Sequence, residues 1–280
     1  MAALDKGTGL DLVDKDTVFH AKLDEVFPGS LLEGQFVAKA AGVLKIAGFN
    51  AENSIALVGV CRDEICSPFV QHVVGHFGHT FGIRGLGGFI SCGRTGFGAA
   101  QAHSPVVGGK RSYIYFVAPH IAIDEHGMVG VVSRPGIDSK SSACGALCAF
   151  RGEVESGEVD MKLKLEDIEQ SLLKQALGPH LKTSNLGNVL CGSSYKVPSL
   201  EDLTKLAQKV IVTEQLEDHI RATVDTATAN YAIVAGIQIH GPEGKTYFCQ
   251  NPEHCVTCVD GEVKPMVIDS YALEPTSPLA

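Results

Sequence analysis

The stretch that most constrains this chain is Ser54–Val60, an uncharged apolar run that breaks abruptly into Cys61-Arg62-Asp63-Glu64. A short apolar run ending in a polar cluster reads as a strand buried on both faces. Its last side chains emerge at the carboxyl end, where open α/β sheets place their ligand sites. The arrangement recurs further on. Residues 127–132 read as a short strand, Arg134 to Ser142 as a polar loop, and Ala143-Cys144-Gly145 as the entry to a helix. With further strands expected over 85–91 and 110–123, the alternation predicts an α/β fold with a mostly parallel central sheet flanked by helices.

The remaining segments fit around that sheet. Phe19, Leu23 and Phe27, then Phe36, Val37 and Leu44, recur at helical spacing and predict amphipathic helices over 17–28 and 30–48. Residues 65–75 read as a helix that tolerates Pro68 in its first turn, and 95–105 as a Gly/Ala-rich helical turn carrying His103. Two more helices are expected over 163–177 and 199–223, the second opening on a Ser199-Leu-Glu-Asp cap, with a polar stretch at 183–195 between them. Residues 231–240 and 245–250 predict a hairpin about Gly241-Pro242-Glu243-Gly244, followed by a strand near 263–269 and a disordered tail over 271–280. At 280 residues the chain is expected to form a single domain with these C-terminal helices and the hairpin added to the central sheet.

A net charge of −9 and a pI near 5.6, with no basic run among aromatics, argue against nucleic-acid binding. No apolar stretch is long enough to cross a bilayer, which predicts a soluble protein. Nine cysteines scattered through strand ends and helices suit a reducing compartment with free thiols better than a disulfide scaffold. The opening Met-Ala-Ala-Leu-Asp-Lys has neither a signal core nor a transit-peptide composition, so the protein is read as cytoplasmic unless a leader has been removed.

Thiolates and imidazole are the ligand set zinc favours, and Cys61, His103 and Cys144 would supply one with a fourth position open. The alternative is that both cysteines are small buried core residues. Asp63 is open to two readings, a carboxylate working beside a metal or an ordinary cap before Ile65. His76 and His79, in or next to a glycine-rich loop, are read as structural hydrogen-bonding residues. Cys249 with Cys255 and Cys258 is read as a group of reduced surface thiols in a hairpin.

Four motifs in order, Cys61-Arg-Asp-Glu64, His79-Thr-Phe-Gly-Ile-Arg-Gly85, Cys92-Gly-Arg94 through Ala102-His103, and Gly136 through Gly145, resemble the limiting-CO2-inducible protein B family of algae. The resemblance covers roughly residues 30–250. That family is similar to theta-class carbonic anhydrases and has a fold like the beta class, which implies a zinc enzyme interconverting CO2 and bicarbonate through zinc-bound hydroxide. It implies zinc on Cys61, His103 and Cys144, with Asp63 as the aspartate of a Cys-x-Asp pattern. Ile65 stands where the beta class has its partner arginine, so that role is expected of Arg94, with Arg84 and then Arg62 as alternatives. Phe81, Leu86 and Phe97 are expected around the substrate. The resemblance further implies a homodimer built through the N-terminal helices or the last strands, and a plastid stroma or pyrenoid location if a transit peptide has been removed. Some members of the family lack activity, and the alternative is a catalytically weak or inactive zinc-binding partner in a carbon-concentrating complex.

Overall fold

β-Branched and aromatic residues dominate the runs that become the sheet, because their stiff, bulky side chains pack well on a pleated surface covered on both sides. The computed structural model describes residues 15–181 and 197–268. Its first half comprises α1 (Lys15–Val26), β1 (Leu31–Leu32), α2 (Glu33–Ile46), β2 (Ser54–Val60), α3 (Ser67–Phe77), β3 (Thr80–Gly82), α4 (Gly93–Ala102), β4 (Val106–Val107), β5 (Lys110–Ala118) and β6 (His120–Ala122). There follow β7 (Val131–Val132), β8 (Ser141–Ser142), α5 (Gly145–Ser156), α6 (Ile168–Leu177), α7 (Leu200–Val210), α8 (Glu217–Thr223), β9 (Ala229–His240), β10 (Thr246–Gln250), β11 (Val256–Val259) and β12 (Glu262–Pro265). The polar stretch 183–195 and the tail 271–280 lie outside the described residues.

The sheet runs β1-β10-β9-β5-β2-β3, parallel from β3 through β9 and antiparallel at β10 and β1. β9 is its spine. One edge pairs with β5 and then, beyond Pro119, with β6; the other pairs with β11 and then with β10. Alternation along β5 serves both faces of the sheet. Phe116 meets Phe69 and Phe77 of α3, while Tyr115 stacks with Phe97 of α4. Phe248 of β10 lies between Phe36 of α2 and Phe69 of α3, with ring centroids 4.1 and 5.3 Å away. Gly236 makes room for it, since a Cβ there would stand 2.3 Å from the Phe248 ring. Cutting a fully buried ring like this to alanine costs about 3–5 kcal/mol.

Several local expectations change. Residues 85–91 do not form a strand: Leu86–Gly88 is a 3-10 turn with Gly87 and Gly88 at φ +65 and +82°, outside strand conformations. The stretch 199–223 is continuous helix interrupted by a π-helical segment, Ile211–Leu216, and Ser199 caps it by accepting from the Asp202 amide. Cys255 and Cys258 are not surface thiols but are buried at 0 and 1% exposure. The Cys255 sulfur packs against the Ala235 amide at 3.2 Å, so these residues complete the β9–β11 core. No helix among the described residues is long and apolar enough to cross a membrane.

Candidate metal centre

β2 delivers Cys61 to the carboxyl end of the sheet, and the chain turns there because Asp63 starts a 3-10 turn that leads into α3. Cys61 is buried, with its carbonyl accepting from Arg84 Nη2 at 2.7 Å and its sulfur from the Gly87 amide at 3.3 Å. Cys144 approaches from the N-terminal end of α5, its sulfur 3.9 Å from that of Cys61. Two thiols this close cannot both ionise without a cation. The hydrogen bond from Cys144, and then His120, holds Cys61 well below the usual thiol range, while the same hydrogen bond and burial push Cys144 up.

The third member of the group is His120, not His103. Cys61, His120 and Cys144 each present a ligand atom within 4.8 Å of the others, and all three are buried. His103 caps the C-terminal end of α4 and is exposed, its ring 5.9 Å from that of Phe81. The reason is topological. Ser104, its neighbour, bonds Ser112 at the start of β5, whereas Cys61 follows Val60, which pairs with Ala118 at the end of β5. Six residues of strand separate those ends, roughly 20 Å. His120 stands just beyond the end of β5, next to Cys61. The rule that singled out Cys61, a polar residue directly after an apolar strand, would have found it had Pro119 been taken as the strand's end.

Asp63 caps the turn before Ile65 and is paired with an arginine as well. Its Oδ1 accepts from the Ile65 amide at 3.4 Å, and its two oxygens accept from Arg134 Nη2 at 3.0 and 2.8 Å. Its Oδ2 lies 4.0 Å from His120 Nε2. Arg134 is therefore the arginine beside Asp63, reaching in from the polar loop ahead of Cys144. The same guanidinium binds Glu64 Oε1 at 2.7 Å and the Ser141 hydroxyl, which locks its plane. The arginines expected from sequence go elsewhere. Arg94 is exposed in the first turn of α4, Arg84 binds the Cys61 carbonyl, and Arg62 pairs with Glu169 at 2.5 Å. Of the apolar residues expected around substrate, Phe97 is fully buried against Tyr115 and His219 instead.

The donor set fits zinc. His120 Nε2 is buried without a hydrogen-bond partner, and the two sulfurs beside it lie 3.9 Å apart, where a dication would neutralise both as thiolates. Thiolate and imidazole together favour zinc over harder cations.

The model of the family described as limiting CO2-inducible proteins B/C beta carbonic anhydrases matches residues 30–257. The crystal structure of limiting CO2-inducible protein LCIB is 28% identical, covering 89% of this chain and 99% of that one at a TM-score of 0.70. That of PtLCIB4, a homolog of the limiting CO2-inducible protein LCIB, is 20% identical over 88% of this chain and 98% of that one, with a TM-score of 0.72. No curated protein matches the chain.

Proposed function

The chain belongs to the limiting CO2-inducible proteins B/C family of beta carbonic anhydrases, and from that premise we propose that it is a zinc-dependent carbonic anhydrase hydrating CO2 reversibly to bicarbonate. The observation that carries this reading is the Asp63–Arg134 pair standing beside a buried cluster of two sulfurs and one partnerless imidazole nitrogen.

Cys61, Cys144 and His120 would hold the metal. Bound there, zinc would supply Lewis-acid activation of water near neutral pH. The protein's own part is orientation. Asp63 Oδ2 accepts the hydrogen bond of the attacking water and so turns a water lone pair toward CO2. Arg134, gripping both carboxylate oxygens, keeps that acceptor aimed. Water adds across a C=O bond of CO2, giving bicarbonate and one proton that must leave the site. A small apolar substrate needs no elaborate polar recognition, which agrees with sulfurs and imidazole buried while Asp63 and Arg134 keep 14% of their side-chain surface exposed.

The same reading takes the chain as a homodimer, and Val263 in β12 and Val267 just beyond it, 55 and 63% exposed, suit an interface there. Stopped-flow CO2 hydration on zinc-replete protein tests the activity. The expected result is zinc-dependent turnover that Cys61→Ser abolishes. Stoichiometric zinc without hydration above the uncatalysed rate would overturn it in favour of an inactive zinc-binding partner protein.

A further inference from the structure

Behind the cluster lies a second line of buried polar groups. His120 Nδ1 is 3.1 Å from His240 Nε2, while its other ring nitrogen, Nε2, has no hydrogen-bond partner and lies 4.0 Å from Asp63 Oδ2. His240 Nδ1 in turn is 3.2 Å from Thr246 Oγ1 across the β9–β10 turn. The Cys66 sulfur, 3.8 Å from His240 Nε2, closes the group from the start of α3. His120 and His240 are 0 and 4% exposed, so both rings are shielded from bulk solvent.

Proton counting along the line gives one arrangement compatible with metal binding. His120 must leave Nε2 bare, so its single proton sits on Nδ1 and is donated to His240. His240 accepts at Nε2, carries its own proton on Nδ1, and donates it to Thr246. The opposite tautomer of His120 would put its proton on Nε2, the nitrogen left without a hydrogen-bond partner here, and block that lone pair from a metal.

We propose that His240 is a positioning residue, holding His120 as the Nδ1–H imidazole with its ring turned so that the Nε2 lone pair faces Cys61 and Cys144. This rests on the reading of those three residues as the metal centre. The partner of a metal-bound histidine is commonly a carboxylate or a carbonyl. Here it is a second neutral ring, oriented by the hairpin turn that carries Thr246.

Chelator-competition zinc affinity and 15N-detected histidine tautomers, read on His240→Phe and His240→Gln, test it. Phenylalanine keeps the volume and removes the acceptor; glutamine restores an acceptor oxygen. His240→Phe should lose about 10- to 100-fold in zinc affinity and show a mixed His120 tautomer in the metal-free state. His240→Gln should regain most of both, and a merely structural role predicts no such rescue. If His240→Phe fails to fold, Thr246→Val, which removes only the far acceptor, should weaken zinc binding in the same direction.

A folded His240→Phe with unchanged zinc affinity and an unchanged His120 tautomer would overturn the proposal. So would two zinc ions per wild-type chain with one lost in His240→Phe, since Cys66, His120 and His240 also lie within 4.8 Å of one another and would then be ligands. If the wild type bound no zinc, the metal reading itself would fall. The tautomer of the metal-free chain would still decide the role of His240.

Discussion

At the scale of single residues, His120→Ala should abolish stoichiometric zinc, because it removes the imidazole from the cluster, whereas His103→Ala, at the exposed end of α4, should keep the metal. Elemental analysis of the two purified variants checks this. Arg134→Ala should retain zinc and lose about 100-fold in hydration rate, the scale on which mispositioning acts. Arg134→Lys should not recover it, since a point charge cannot hold both oxygens of Asp63. Arg94→Ala should stay within about two-fold in the same stopped-flow assay. Cys61 and Asp63 could be picked out in the sequence because they follow an apolar run at an abrupt break, and Cys144 because it stands where a polar loop enters a helix. His120 was not, because Pro119 splits what reads as one strand from 110 to 123 into two, and the break lies inside an apolar stretch. Arg134 was hidden for a different reason. Its pairing with Asp63 spans seventy-one residues, and no local pattern carries a contact of that range.

Among the elements, the turn Leu86–Gly88 ties the glycine-rich stretch to the centre. Gly87 donates its amide to the Cys61 sulfur from φ +65°, and a Cβ there would come within 2.9 Å of Leu173 in α6. Gly87→Ala should therefore cost roughly 1–3 kcal/mol in urea unfolding, and it should also weaken zinc binding, because the displaced amide no longer steadies the thiolate. A variant as stable as wild type would show that the turn is free to move. Strands β2 and β5 and the β9–β10 hairpin were readable because burial on both faces and a turn signature leave marks within ten residues. The turn at 86–88 was not, since short apolar residues among glycines look alike in a strand and in a tight turn.

For the molecule as a whole, a buried carboxyl outside the cluster sets part of the pH dependence of stability. Burial pushes Glu33, at the start of α2, up from 4.5 to about 7, partly offset by the hydrogen bond from Gln238 of β9 at 2.9 Å. His72 Nε2 of α3 lies 3.8 Å from Glu33 Oε1, and neither Glu33 Oε1 nor Gln238 Oε1 has a hydrogen-bond partner. An acid raised in the folded state binds more protons folded than unfolded. Its contribution is therefore complete below pH 4.5 and is lost as pH climbs through about 7. Glu33→Gln should match wild type near pH 4 and exceed it by up to roughly 3 kcal/mol at pH 8, as chemical denaturation at the two pH values would show. The spine strand β9 bears on how the protein comes into being. It joins β5 and β6 on one edge to β10 and β11 on the other, and its partners on the first edge lie more than a hundred residues earlier. Such distant pairings are slow to close. A chain leaving the ribosome already holds Cys61, His120 and Cys144 while the strand that pairs with His120 is still unmade, so the three-residue cluster closes only when the chain is nearly finished.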